Sequence, residues 1–189
     1  GFKTYNSFVG LGGDFGSLKL GSQWNPTFLA STISDATGRW GSTSLANPSE
    51  LQNAGSVTYT SPSLSGVTVS YQKQMLGAGA NIGTGQWINT GSGDARAYSV
   101  NYSAGAFAGA YASASDDGHG NTTLFAASYD FGMAKVHFGS LSTKYSGTLT
   151  SGNAIGVSAP IGNAVVSGMW GSGTGSATTS NYAVMYNLS

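Results

Sequence analysis

The sequence contains no cysteine and very few charged residues. Only 7% of its 189 residues are Asp, Glu, Lys or Arg, whereas soluble globular domains average about 25%. The chain therefore lacks the usual means of keeping a water-facing surface soluble. Its seven basic residues balance seven acidic ones and form no basic patch, so a nucleic-acid partner is excluded. The absence of cysteine is compatible with any compartment.

Long apolar runs are also missing. No segment approaches the roughly 18 consecutive apolar residues that a membrane-spanning helix needs. The chain contains 30 glycines, and each glycine costs about 1 kcal/mol in a helix interior. No stretch shows a 3.6-residue apolar stripe either, so helices are not expected. An aromatic content of 12% with zero net charge argues against disorder.

Apolar and polar residues alternate along most of the chain, which predicts β-strands. Val67, Val69 and Tyr71, for example, are separated by Thr68 and Ser70. Strands whose second face is Ser, Thr, Asn and Gly suit a wet lumen better than a dry core. Most of the segments approach the roughly 9–11 residues that a tilted strand needs to cross a bilayer. About eleven strands are predicted, near residues 4–12, 15–23, 56–61, 65–74, 96–103, 106–114, 122–130, 133–143, 153–159, 164–170 and 181–187.

Tight turns alternate with long loops between these strands. A sheet with tight turns at one end and long loops at the other is typical of outer-membrane barrels, which have short periplasmic turns and longer extracellular loops. The sequence therefore predicts an all-β, antiparallel, up-and-down transmembrane β-barrel. Because bacterial barrels usually have an even strand count, and because Gly1 and Ser189 adjoin strand patterns, we expect the chain to be the middle of a longer protein. The long loops are predicted near 24–54, 75–94, 115–121, 145–152 and 171–180.

Four phrases appear in an order and at a spacing that resemble a known family. They are NSFVGLGGDFGSLKLG at 6–21, VTYTSP at 57–62, ASYDFGMAKV at 127–136 and VSAPIG at 157–162. They resemble the general porins of Gram-negative outer membranes, of the β-proteobacterial type. The resemblance implies that residues 1–189 are a single partial barrel domain, the fourth to fourteenth of sixteen strands, without the N- and C-terminal ones. It also implies a homotrimer in outer-membrane lipid that passes small hydrophilic solutes and ions.

The same resemblance gives a role to the long insert 24–54, which lacks periodicity and is expected to lack regular structure. In the family this loop folds inside the barrel and narrows the pore. A long structureless insert in a compact protein is usually functional or disordered. We expect the loop charges Asp35, Arg39 and Glu50, together with Lys19 on the wall, to line the constriction and set its selectivity.

The barrel wall facing the loop commonly carries basic residues in this family. The matching positions here, Tyr5, Asn6 and Ser22, are not basic, so we expect weak charge selectivity. Lys19 alone is basic and is predicted to point inward. A solvated charge without a special role explains Lys19 equally well.

No enzyme, cofactor or metal site is expected. Ser70 and Lys73 match a Ser-x-x-Lys pattern, but residues three apart on a strand face opposite ways. His119 and His137 are the only histidines, and no third nitrogen ligand accompanies them.

A surface-exposed structural or adhesive outer-membrane β-protein is the alternative function. It differs from a pore in needing an interior filled by large side chains. The inward-predicted Phe8 and Met169, with Ala106, Ala108 and Ala110, make the inner face less polar than an open pore requires.

Overall fold

The computed structural model of the chain is dominated by one antiparallel sheet. It describes residues 6–38, 52–75, 88–89, 95–116, 120–145, 148–174 and 176–186. The strands are β1 (Ser7–Gly13), β2 (Gly16–Trp24), β3 (Gln52–Thr60), β4 (Val67–Gln74), β5 (Ile88–Asn89), β6 (Ala95–Ala104), β7 (Phe107–Asp116), β8 (Gly120–Asp130), β9 (Lys135–Tyr145), β10 (Thr148–Ile161), β11 (Ala164–Gly173) and β12 (Ser176–Tyr186). One short helix, α1 (Pro26–Ser31), is followed by a 3-10 turn, Thr32–Ser34.

The sheet is an up-and-down meander. Each long strand pairs antiparallel with the next long strand along the chain, in the order β1-β2-β3-β4-β6-β7-β8-β9-β10-β11-β12. The two-residue strand β5 lies off this path and pairs parallel with β3. Among the described residues β1 and β12 form the two edges, and no ladder joins them. The predicted all-β, antiparallel fold and its eleven meander strands are confirmed.

The two faces of the sheet differ as the alternation predicts. The register aligns Leu18 with Tyr59, and Tyr59 with Tyr71, on one face. On the opposite face Thr58 and Ser99 are buried, while Lys19 and Asn101 are half-buried. The aliphatic residues that alternate with polar ones are mostly exposed: Val9, Leu11, Leu18, Leu20, Val69, Val100 and Val184 are exposed, and Val67 and Val136 are half-buried.

Several strands begin earlier than predicted. Strands β3, β10 and β12 start at Gln52, Thr148 and Ser176, four or five residues before the predicted starts. The predicted long loops at 145–152 and 171–180 are therefore wrong, because strand pairing continues through most of both segments. Most of the added residues are Ser, Thr, Gly, Asn or Gln, and the apolar ones are only Ala54, Leu149 and Ala177, so they carry too little alternation for a strand search to detect.

The helix α1 is a second correction, since the insert 24–54 was expected to lack regular structure. Asn25 caps the helix: its Oδ1 accepts hydrogen bonds from the Thr27 backbone N–H at 2.8 Å and the Thr27 hydroxyl at 2.6 Å. Pro26 occupies the first helical position, where its missing N–H is not needed. An Asn-Pro pair is a helix-start signal, but six residues are too few for a visible apolar stripe.

No helix among the described residues is long and apolar enough to span a bilayer.

Candidate functional site

The segment 25–38 lies against one face of the sheet, which we call the inner face. Helix α1 contacts β4, β6, β7 and β8, and the 3-10 turn contacts β7, β8, β9 and β10. Nine residues therefore reach across six neighbouring strands. The opposite face, which carries the exposed aliphatic and aromatic side chains, is called the outer face below.

Small residues on the inner face make room for the helix. Ala30 of α1 and Ile33 of the 3-10 turn pack into one apolar cluster with side chains from β7, β8 and β9. Alanine side chains are short, so the helix approaches the sheet closely at these positions. The sheet residues of this cluster are Ala110, Ala112, Leu124, Ala126 and Leu141.

A second apolar contact holds the end of the segment. Ala36 packs with Ala154 and Met169, and Met169 is only 1% exposed. Gly156 lies beneath the same contact, because a Cβ added there would be 2.6 Å from the Ala36 Cβ and 3.2 Å from the Gly168 carbonyl oxygen. A side chain at position 156 would therefore displace the segment.

Between these two apolar contacts, His137 links the segment to the wall. Its Nδ1 lies 2.9 Å from the Ile33 carbonyl oxygen, and its Nε2 lies 3.2 Å from the Ser158 hydroxyl. Because Nδ1 faces a carbonyl, it carries the hydrogen and donates; in the neutral ring Nε2 then accepts from the Ser158 hydroxyl. His137 is 6% exposed. The sequence analysis did not predict this role for His137. A histidine on a strand face of mostly small residues was the signal that could have indicated it.

Polar contacts anchor the beginning of the segment. Gln72 of β4 donates from Nε2 to the Thr58 hydroxyl at 2.9 Å and to the Trp24 carbonyl oxygen at 3.2 Å. The Trp24 ring stacks on Phe28 of α1 with 4.7 Å between ring centroids. The segment is thus attached to the wall at its start, middle and end.

Leu29 and Thr32 lie on the side of the segment that faces away from the sheet. Leu29 is 50% exposed, and Thr32 is also exposed. Their neighbours Phe28, Ala30 and Ser31 are buried. The segment therefore exposes Leu29 and Thr32 on its side away from the inner face.

Asp35 is half-buried just after the 3-10 turn. Its Oδ1 accepts hydrogen bonds from the Thr37 backbone N–H and the Thr37 hydroxyl, both at 2.9 Å. The other carboxylate oxygen, Oδ2, is buried and has no hydrogen-bond partner among the described residues. Asp35 therefore stabilises a local turn through one carboxylate oxygen, and its other oxygen makes no hydrogen bond to the described residues.

Lys19 lies on β2, which contributes no residue to the two apolar clusters that hold the loop. It pairs with Gly10 of β1 and Thr58 of β3, and its Nζ lies 4.8 Å from the centroid of the Phe8 ring. The other two predicted selectivity residues, Arg39 and Glu50, lie outside the described residues.

No group of three His, Cys, Asp or Glu side chains suited to a metal ion occurs in the part of the chain that the structure describes.

Comparison with known proteins gives one family. The sequence model described as Gram-negative porin matches residues 1–189. No curated protein matches the chain.

Two solved structures are among those that resemble the fold. The anion-selective porin of Comamonas acidovorans is 20% identical with a TM-score of 0.62, and the match covers 87% of this chain and 55% of that one. The Salmonella typhi OmpF in complex with daunomycin is 13% identical with a TM-score of 0.78, covering 98% of this chain and 67% of that one. The chain thus spans little more than half the length of the Comamonas porin. At these identities the likeness assigns the fold alone.

Proposed function

The chain belongs to the Gram-negative porin family, and on that premise we propose that it forms a passive diffusion channel for small hydrophilic solutes and ions. The observation that carries this proposal is the attachment of segment 25–38 to the inner face. A segment held inside a barrel narrows the lumen, and a narrowed aqueous lumen sorts solutes by size. Family membership also indicates a channel rather than an enzyme.

The family locates the chain in the outer membrane of a Gram-negative bacterium. The outer face suits contact with lipid, since aliphatic side chains such as Val69 and Val100 alternate with inward polar ones. Aromatic residues such as Tyr59, Tyr71 and Tyr102 are also exposed, as in the aromatic girdles of membrane barrels. On this basis we propose that the outer face contacts outer-membrane lipid. The proposal that the chain forms a homotrimer rests on its membership of the porin family.

The whole insert 24–54 is proposed to act as the constriction loop. Its last residues, 52–54, belong to strand β3, and its described first part, 24–38, is held by Gln72, by His137 and by the contact of Ala36 with Met169. Three separated tethers favour a loop that keeps one position during conduction. The charges proposed to act at this constriction are Asp35, Arg39, Glu50 and Lys19.

The adhesive alternative would need large side chains throughout the interior. The large apolar residues that are buried on the inner face instead lie in the two apolar clusters that hold the loop; they are Leu124, Leu141 and Met169. Near Lys19 the inner face carries Gly10 and Thr58. This distribution favours a channel, because the bulky residues coincide with the loop attachment.

Deletion of residues 30–48 from the full-length protein tests the proposal. In planar bilayers the deletion variant should show a larger single-channel conductance than the wild type. In liposome swelling it should admit larger sugars. Val69→Ala, on the outer face, is the control and should conduct like the wild type. An unchanged conductance and size limit in the deletion variant would mean that the loop does not narrow the pore, and a non-conducting wild type would refute the channel itself.

A further inference from the structure

Phe8 and Lys19 form a contact on the inner face of β1 and β2. Phe8 is paired with Gly21, and Lys19 is paired with Gly10 two positions further along β1. Phe8 is therefore the diagonal neighbour of Lys19 on the same face, within reach of a long side chain. The Lys19 Nζ lies 4.8 Å from the Phe8 ring centroid, inside the distance at which a cation is attracted by an aromatic face.

Gly10 shapes this contact by having no side chain. A Cβ added to Gly10 would lie 3.0 Å from Lys19 Cγ and 2.8 Å from the Leu18 carbonyl oxygen. The stem of Lys19 therefore occupies the place that a side chain on β1 would take. This lets the stem lie flat across β1 and brings the ammonium group over the Phe8 ring.

Among the described residues, no negatively charged side chain neighbours Lys19 on the inner face. Gly10, Thr58 and Phe8 are its neighbours on the inner face, and none carries a negative charge. A lysine stem is long and flexible, and in water it would extend towards the middle of the lumen. The attraction to Phe8 opposes that extension.

We propose that Phe8 is a positioning residue that keeps the Lys19 charge against the wall, clear of the path of permeating ions. This inference rests on the proposed channel function. The wall then offers small anions a positive charge at a constant place, while the lumen keeps its cross-section. A released ammonium group would reach nearer the ion path, where it would attract anions more strongly and obstruct flow.

A double-mutant cycle tests the proposal, because it isolates the coupling between the two side chains. In planar bilayers Phe8→Leu should lower single-channel conductance, increase open-channel noise and move the reversal potential under a KCl gradient towards anions. Phe8→Tyr keeps an aromatic face and should behave like the wild type. In the Lys19→Met background, Phe8→Leu should change none of the three quantities.

Two outcomes would overturn the proposal. One is a Phe8→Leu variant with wild-type conductance, noise and reversal potential. The other is equal changes with and without Lys19, which would mean that Phe8 acts only through its size. Both outcomes require a conducting wild type, so they are distinct from failure of the channel function. Val9→Ala, on the outer face next to Phe8, controls for effects on assembly, and folding of every variant is checked by its shift on unheated gels.

Discussion

His137 donates a hydrogen bond from Nδ1 to the Ile33 carbonyl oxygen, 2.9 Å away, across 104 positions of the sequence. The same ring contacts the Ser158 hydroxyl through Nε2. One side chain therefore connects the loop segment with β9, on which it lies, and with β10. The alanine contacts on either side are non-directional, so this hydrogen bond gives the loop its specific position on the wall.

Replacing His137 with Phe should loosen the loop while keeping a ring of similar size. The Ile33 carbonyl would lose its donor, and an unsatisfied buried polar group costs about 1–3 kcal/mol. We expect a lower free energy of unfolding in urea titrations with lipid vesicles, and more open-channel noise in single-channel recordings. Ser158→Ala is the matched control, because it keeps the bond to Ile33; its effect should be smaller. Equal stability and noise for His137→Phe and the wild type would contradict the anchoring role.

Gly156→Ala should push the loop away from the wall. The added methyl group would lie 2.6 Å from Ala36 Cβ, and overpacking of this kind costs about 1–3 kcal/mol. Adding Ala36→Gly should recover part of the lost free energy of unfolding, because it removes the methyl group that collides. Gly12→Ala is the control, since the nearest atom to its added Cβ would be 3.8 Å away. Urea titration measures all four proteins, and a Gly156→Ala variant as stable as Gly12→Ala would refute the close contact.

Val69→Arg tests the assignment of the outer face. Val69 is 42% exposed near the middle of the meander strand β4. An arginine near the bilayer midplane costs about 2–4 kcal/mol, whereas one near the interface costs about 0–1 kcal/mol. Met133→Arg, in the exposed turn between β8 and β9, should therefore be almost neutral. Similar free energies of unfolding for the two variants in lipid vesicles would mean that Val69 does not face the hydrocarbon.

Alternation alone predicted the meander and its two faces, because period 2 is visible wherever one face is apolar. Residues such as Val67, Val69 and Tyr71 meet that condition. The same method failed near Thr148 and Ser176, where polar and small residues predominate at successive positions and backbone pairing nevertheless continues. Strand extent there depends on partners that are remote in sequence.

The loop attachment was harder to predict than the sheet. Ala36 and Gly156 come together only after the sheet has formed, and neither residue type is distinctive in a chain with 30 glycines. The pair Asn25-Pro26 is a helix-start signal in the sequence, but the six-residue helix that follows it shows no apolar stripe. The sequence analysis weighed His137 only as a metal ligand, because its partner is a backbone carbonyl, which leaves no trace in the sequence.

Charge selectivity should be weak and should depend on the loop acids. The four proposed charges, Asp35, Glu50, Arg39 and Lys19, are two of each sign, so their fields largely cancel at a distance. At physiological salt a Debye length of about 8 Å screens exposed charges beyond the narrowest part of the pore, although partly buried charges are screened less. Asp35 is half-buried, so its field should persist more than that of a fully exposed residue.

Neutralising both acids with Asp35→Asn and Glu50→Gln should move the channel towards anions, since Arg39 and Lys19 would then be unopposed. Asp35→Asn keeps an Oδ1 acceptor for the Thr37 N–H, so the turn should survive and the shift should reflect charge alone. Lys19→Met should shift the reversal potential under a KCl gradient in the opposite direction. A strongly anion-selective wild type, or a double variant with an unshifted reversal potential, would mean that other charges select the permeating ions.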